Sequence, residues 1–352
     1  MRLQPLVRPG FPGRRLAAGL GTVFLLMLGV REQAQAQDLY FSQSYATRLH
    51  LNPAFTGLQH DYGVSLAYRE QFPSLAGSFQ TTHLGADYRF EKQRNAVGLL
   101  VNMDRLGAVG YTRLEAAALY AYHARLSNDI YLSAGAQATY GSQRISYSNL
   151  VFGDQLSDDG LLTGPSAEPV PFDPVHYLSV GVGGLLYNRQ SWAGLALYHL
   201  NQPDLGNQTQ GRLPMRATFT GGVKHFFSES TVKQTYREIS VSPTVSYTRQ
   251  GASQRAEAGL YGTVTPITMG LLYRGIPLPG APRPASVLAI VAGVQLPGFR
   301  VGYSHDVELG SRNLGAGGAH EIVLVLEQVD RLAAARRRIS RKNYRLLPCP
   351  AF

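Results

Sequence analysis

Three adjacent residues, Ser304, His305 and Asp306, have the side-chain types of a hydrolase triad. In such a triad the histidine takes the serine proton while the carboxylate orients the imidazole. Alternating apolar and polar residues around them predict a β-strand, on which neighbouring side chains point to opposite faces. His305 therefore cannot reach both partners within this segment. Because no pattern selects a triad assembled across separate strands, we predict that the chain is not an enzyme.

The other candidate sites for chemistry are equally weak. A glycine-rich stretch covers residues 315–318, but no helix follows it to supply the N–H groups that bind phosphate. Asp154, Asp158 and Asp159 share one long loop and could hold calcium, but they lack the spacing and the distal glutamate of an EF-hand. The nine histidines show no pair at ligand spacing. We predict a solvated acidic loop, no metal and no cofactor.

A formal net charge of +10 would indicate nucleic-acid binding if it were spread over the chain. It is instead confined to the ends, because residues 37–328 hold 21 basic and 21 acidic residues. Residues 1–36 carry five arginines and one glutamate, and residues 329–352 carry seven basic residues and one aspartate. A neutral body lacks the basic surface that nucleic acid requires, so we predict no nucleic-acid partner.

The N-terminal charge is typical of a secretory signal peptide. Four arginines precede an apolar run over residues 16–30, and Ala34 and Ala36 place small residues where a signal peptidase reads them. The run is shorter than the roughly 20 apolar residues of a transmembrane helix. No cysteine follows the cleavage region to carry a lipid anchor. We predict a signal peptide over residues 1–36 and an exported mature chain.

Alternation of period two dominates the chain after Gly57. In the first run, Tyr62 and Leu66 interleave with Gly63 and Ala67. Most such runs are longer than the five or six residues usual in soluble sheets, and they fit the roughly 9–11 residues of a membrane-spanning strand. The fourteen predicted strands lie near 61–70, 78–90, 94–104, 111–125, 129–147, 175–188, 191–200, 214–228, 236–248, 254–264, 267–274, 286–295, 298–307 and 319–328.

The connections between these runs alternate in length. Most connections after even-numbered strands are tight, whereas several after odd-numbered strands are long, such as 148–174 and 308–318. Outer-membrane barrels have short periplasmic turns and long extracellular loops. We therefore predict an all-β fold: a single antiparallel transmembrane β-barrel of about 14 strands over residues 61–328, with both termini periplasmic. Tyrosines near strand ends, Tyr45 among them, predict a belt at the headgroups, and small polar inward residues predict a lumen that is not highly charged.

Several short segments together resemble those of one known family. In chain order they are Phe41-Ser42-Gln43, Leu51-Asn52-Pro53-Ala54-Phe55-Thr56-Gly57, Gly98-Leu99-Leu100-Val101-Asn102-Met103-Asp104-Arg105-Leu106-Gly107, Tyr120-Ala121-Tyr122-His123, His199-Leu200-Asn201-Gln202-Pro203-Asp204, Gly318-Ala319-His320-Glu321-Ile322 and Cys349-Pro350-Ala351-Phe352. Their order and spacing resemble the PorP/SprF family of outer-membrane proteins of the Bacteroidetes type IX secretion system. The chain departs from the family at Ala351, where a basic residue is often found.

The resemblance implies an outer-membrane barrel of the secretion and gliding machinery. Its implied partners are subunits of that machine or a secreted, adhesin-type protein with a C-terminal sorting domain, together with outer-membrane lipid. The alternative from another class is a FadL-like or porin-like transporter of small solutes, and a membrane hydrolase is a weaker third hypothesis. A transporter should conduct or take up a solute, whereas a secretion component should co-purify with protein partners.

Two segments outside the barrel are candidates for partner binding. The leader, residues 37–60, contains the turn-forming pair Asn52 and Pro53, and could plug the lumen or dock a periplasmic partner. The basic tail, residues 329–352, could contact an acidic protein surface or anionic headgroups. Its basic candidates are Arg336, Arg337, Arg338, Arg341, Lys342 and Arg345. Cys349 lies in the same tail, and we interpret it as an inert thiol, with an intermolecular disulfide as the alternative.

Overall fold

The fold is taken from a computed structural model. The structure describes residues 38–58, 62–74, 77–90, 94–107, 110–146, 152–157, 160–161, 166, 174–205, 211–232, 235–276, 286–296, 298–309 and 317–328. The predicted signal peptide and the predicted basic tail lie outside these residues.

Strands dominate the described part of the chain. Their bounds are β1 (Tyr62–Gln71), β2 (Phe79–Arg89), β3 (Asn95–Leu106), β4 (Tyr111–Arg125), β5 (Tyr131–Ile145), β6 (Leu156–Ser157), β7 (Gly160–Leu161), β8 (Val175–Tyr187), β9 (Ser191–Tyr198), β10 (Arg216–Val223), β11 (His225–Val232), β12 (Thr235–Gln250), β13 (Ser253–Val264), β14 (Ile267–Arg274), β15 (Ser286–Leu296), β16 (Phe299–Leu309) and β17 (Ala319–Gln328). Among the described residues, no helix combines the length and the apolar character needed to cross a membrane.

The sheet closes on itself as a barrel of fourteen antiparallel strands. The first strand, β1, pairs with the last, β17, along its whole length, from Tyr62 opposite Gln328 to Gln71 opposite Ala319. On the far side β10 pairs with both β9 and β12, which completes the ring. The short strands β6 and β7 pair only with each other, in the long connection after β5. The predicted barrel and its strand number are confirmed.

One wall strand is broken. Where the sequence predicts a single strand over 214–228, β10 and β11 follow each other with Lys224 between them. Both pair with β12, but their ladders leave a gap opposite Pro243, which has no N–H to donate to a neighbouring strand. β11 then runs past the tight turn between β8 and β9. The break between β10 and β11 therefore depends on the facing strand β12 as well as on the sequence around Lys224.

The two faces of the wall follow the predicted alternation. On β14 the outward Met269 and Leu271 are 63% and 54% exposed, whereas the inward Thr268 and Leu272 are each 1% exposed. Outward residues are large and apolar, as a surface that faces lipid requires. The inward residues are covered by another part of the chain, residues 38–58, which lies inside the lumen.

Candidate functional site

The lumen is occupied by residues 38–58 of the leader. This part forms a short helix, α1 (Arg48–Leu51), and a 3-10 turn (Pro53–Phe55), and most of its side chains are buried. Its hydrogen bonds reach strands on all sides of the barrel. A fourteen-stranded barrel is wider than the roughly eight strands whose own side chains fill the interior. The leader therefore supplies much of the core of this protein.

Asn52 and Pro53, the predicted turn pair, lie against β8 and β9. The side chain of Asn52 accepts a hydrogen bond from the Ala54 N–H at 2.8 Å, which caps the 3-10 turn. Its amide nitrogen donates to the backbone carbonyls of Gly184 at 3.2 Å and Leu195 at 3.3 Å. Asn52 is 1% exposed. A partner could reach this pair only after the leader had moved.

Glycines in the wall make room for this turn. A Cβ atom added to Gly183 would lie 2.0 Å from Asn52 Oδ1, and one added to Gly135 would lie 2.4 Å from the carbonyl carbon of Pro53. The neighbouring Gly184 points outward and would meet nothing within 4 Å. At Gly183 and Gly135, therefore, the leader excludes any larger side chain.

Gly183→Ala is expected to destabilise the folded barrel, whereas Gly184→Ala is not. In Gly183→Ala the added methyl group collides with the Asn52 side chain. Overpacking of this kind typically lowers the free energy of unfolding by about 1–3 kcal/mol. The midpoint of urea unfolding, followed by heat-modifiable migration, measures the difference. Equal midpoints for the two variants would contradict the seating of the leader against β8.

The first described residue, Asp38, is held by three side chains of the wall. Its carboxylate accepts hydrogen bonds from Arg113 at 2.8 Å and His199 at 2.7 Å, and Arg216 lies 3.2 Å away. Burial by itself raises the pKa of this carboxyl, but His199, Arg113 and Arg216 together hold it well below its usual value. Asp38 is therefore an ionised anchor. Removing one partner of a buried ion pair typically costs about 3–5 kcal/mol.

A second group of charges surrounds Tyr40. The Tyr40 hydroxyl donates to Glu257 and accepts from Arg274 at 2.6 Å. The Arg274 and Arg255 guanidinium carbons lie 3.9 and 4.3 Å from the ring centroid, which is cation–π geometry. Arg274 also donates to Glu257 at 3.1 Å. The ring is thus fixed by charges on β13 and β14.

A third group binds the leader backbone. The two oxygens of Glu321 accept the backbone N–H groups of Ser42 at 2.8 Å and Gln43 at 2.9 Å. The Asp306 carboxylate accepts a hydrogen bond from the Ser42 hydroxyl at 2.7 Å. Arg69 joins the two carboxylates, at 2.8 Å from Asp306 and 3.2 Å from Glu321. Strands β1, β16 and β17 therefore meet on one short stretch of leader.

The leader runs along the barrel axis. Asp38 contacts Arg113 and Arg216, which are near the starts of β4 and β10, at the rim with the long loops. Asn52 lies beside Gly194, in the first half of β9, close to the rim with the tight turns. Residues 38–52 therefore extend through most of the depth of the lumen.

Near the tight-turn rim the packing is aromatic. Tyr45 contacts Trp192 edge-to-face with ring centroids 5.9 Å apart, and Tyr261 lies on its other side at 6.2 Å. Phe55 and Leu58 are fully buried in the same cluster. The prediction that Tyr45 belongs to a headgroup belt is wrong, because the leader carries this ring into the core.

The lumen is also more charged than predicted. The inward charged residues of the wall include five arginines and five acidic residues, most of them in the half of their strands nearer the rim with the long loops: Arg69, Arg113, Arg216, Arg255 and Arg274, with Glu115, Glu257, Asp306, Glu321 and Asp87. The small residues between them dominate the composition and hide this pattern. Charged residues in step with the inward face were the signal that could have revealed it.

The predicted weak sites have the following outcomes. Ser304 and Asp306 are buried and point inward, and His305 points to the outer face, as the strand alternation predicts. Asp154 accepts a hydrogen bond from Ser166 at 2.7 Å, and Asp158 and Asp159 lie outside the described residues. In the described part of the chain, no group of three acidic, histidine or cysteine side chains is placed to hold a metal ion. The candidates of the tail, including Cys349, also lie outside it.

A match to a family model over most of the chain identifies the family of this protein. Residues 33–326 match the model of the type IX secretion system membrane protein PorP/SprF. The chain belongs to the PorP/SprF family. This member is a β-barrel of the outer membrane, and its family implies a component of type IX secretion. None of the curated proteins matches the chain.

Solved structures similar to this PorP/SprF member are distant. The Ralstonia pickettii toluene transporter TbuX is 12% identical with a TM-score of 0.43, over 80% of this chain and 91% of its own. The Pseudomonas putida toluene transporter TodX is 10% identical with a TM-score of 0.39, over 83% and 94%. A mutant of the Rh. blastica porin is 9% identical with a TM-score of 0.32, over 76% and 98%.

Proposed function

We propose that this chain serves type IX secretion as a barrel that engages proteins and does not pass solutes. The observation that carries the proposal is the leader, residues 38–58, which fills the lumen and is held there by buried ion pairs. A pathway for solutes through the middle of the barrel would require these pairs to break. The partners proposed are subunits of the secretion machine or a secreted protein with a C-terminal sorting domain.

The proposed topology follows from the two rims. Short turns of outer-membrane barrels face the periplasm, and here β1 begins and β17 ends at the rim with the tight turns. The signal peptide over residues 1–36 is removed during export, and the leader then folds back into the lumen from the periplasmic side. The basic tail from residue 329 begins in the periplasm, where machine subunits are accessible.

A comparison of exported proteins with and without this gene tests the proposal. Loss of many proteins from the medium and the cell surface would make this chain a core machine component. Loss of one or a few large adhesins would make it a dedicated partner of those substrates. An unchanged profile, in a strain from which related genes have also been removed, would refute the secretion role and leave solute uptake as the function to test.

Truncation after Gln328 is expected to leave the barrel inserted but to weaken capture of protein partners. The tail carries the excess positive charge of the C-terminal end, and its attraction to an acidic surface falls as salt screens it. Affinity purification from membranes, at low and high salt, measures the captured partners. A matched control keeps the tail length but replaces Arg336, Arg337 and Arg338 with glutamine. Full capture by the truncated barrel would exclude the tail from partner binding.

A further inference from the structure

A notch on the outer face of the barrel lies where the wall is broken. The β10–β12 ladder ends with Gly222 opposite Thr244, and the β11–β12 ladder begins with His225 opposite Val241. Between these pairs stands Pro243, whose ring cannot donate to the ladder. The strand pairing of the wall is therefore interrupted here.

The notch is large and apolar. Its volume is about 510 Å³, within the range of roughly 300–1,000 Å³ found for small-molecule sites. Outward side chains form its sides, among them Leu186, Phe219, Val223 and Val245. An added Cβ at the outward Gly221 would be 3.2 Å from the carbonyl oxygen of Trp192, so a side chain at this position would crowd the notch.

The notch extends inward to the core of the barrel. Trp192 and Thr244, which belong to the inner face, contribute to its lining. Trp192 in turn packs against Tyr45 of the leader. A molecule in the notch would thus contact the wall at the point where the leader is seated.

The position of the notch defines its ligand. Its walls belong to the outward, apolar surface that faces the hydrocarbon of the bilayer, so a hydrocarbon chain matches its lining. It also reaches the tight-turn rim, where Asn188 and Ser191 line it. Arg189 lies between these two residues, and an arginine guanidinium binds phosphate in a two-pronged, charge-assisted geometry. An apolar cavity that ends at a turn carrying an arginine, at headgroup level, suits a phospholipid better than a free hydrocarbon.

We propose that the notch between β9, β10 and β12 binds one phospholipid of the surrounding bilayer. One acyl chain occupies the cavity over Gly221 and Ala193, and the phosphate lies at the rim beside Arg189. The proposal is independent of the role in secretion, because it requires only that the barrel be in a membrane.

The sole tryptophan of the chain, Trp192, lines the notch and reports its occupancy. The purified full-length barrel, in a nonionic detergent, is titrated with phosphatidylglycerol that carries bromine atoms on its acyl chains. Bromine quenches indole fluorescence on contact, so we expect saturable quenching in the wild type. Ala193→Phe fills the floor of the notch from its outward position and should lose most of the quenching.

Ala292→Phe is the matched control, since Ala292 also points outward but lies on β15, three strands away from β12 and outside the notch. It should quench like the wild type, and Val245→Phe provides a second filled notch should Ala193→Phe not fold. Equal quenching in filled and control variants would overturn the proposal. Arg189→Gln should require several-fold more brominated phosphatidylglycerol for half quenching. A brominated fatty acid that quenches equally well in the wild type and Arg189→Gln, together with an unshifted phospholipid titration, would overturn the assignment of the ligand as a phospholipid.

Discussion

Deletion of residues 38–52 should convert a closed barrel into an open pore. The deletion removes Asp38, Tyr40, Ser42 and Tyr45 from the lumen and leaves the 3-10 turn that leads into β1. Fourteen strands enclose more space than their inward side chains fill, so water and ions would enter. Single-channel recording in planar bilayers measures the change: the wild type should be closed for most of the time, and the deletion variant should conduct steadily.

A synthetic peptide with the leader sequence provides the control. Added to the deletion variant, it should close the pore by rebuilding the pairs between Asp38 and the wall. The same peptide with Asp38→Ala should close it less well, because Arg216 and Arg113 would both lose a buried carboxylate, with Glu115 still paired to Arg113. Heat-modifiable migration verifies that the shortened barrel is folded. Steady conduction by the wild type at the level of the deletion variant would refute the closed lumen and favour a transporter.

Leu271→Arg should prevent most of the barrel from inserting. Leu271 is 54% exposed on the outer face and stands in the middle of β14, opposite Leu260 and Ile290. Arginine on the lipid face near the midplane costs about 2–4 kcal/mol, a large share of the stability of a typical protein. Yield of heat-modifiable barrel after refolding into lipid vesicles measures the loss.

Tyr273→Arg is the matched comparison, on the same strand and the same face but next to its end at Arg274. Near the interface the cost of an arginine falls to about 0–1 kcal/mol, so this variant should insert almost normally. The contrast separates the effect of depth from the effect of charge. Equal yields for the two variants would contradict the assigned depth of β14.

The wall of the barrel could be predicted from sequence because the pattern that specifies each strand lies within that strand. Alternation places the residues of β1 or β14 on a face without knowledge of any other strand, and the overall alternation of tight and long connections identifies the two rims. The break at Lys224 could not be predicted in the same way. It depends on Pro243 in the facing strand, so the register of the two strands has to be known first.

The contents of the lumen could not be predicted because they rest on pairs of residues far apart in sequence. Ser42 binds Glu321, 279 positions away in sequence, and Asp38 binds His199, 161 positions away. Asn52 and Pro53 could be identified as a turn, but nothing in their neighbourhood indicates the glycines of β8 and β5 that receive it. Only the inward charged residues, such as Arg69 and Asp306, indicated that the lumen contains buried polar groups that pair with them.

The attachment of Ser42 and Gln43 to Glu321 sets an order of assembly. The leader is made first, and β16 and β17, which carry Asp306 and Glu321, are made last. The amide groups of the leader therefore have no final acceptors until the whole wall has been synthesised and β17 has paired with β1. A chain that stops before β16 would keep this stretch of leader unbound and open to periplasmic proteases. The pairing of β1 with β17 thus doubles as a check on completeness, in which only chains that extend through β17 bind this stretch of their own leader.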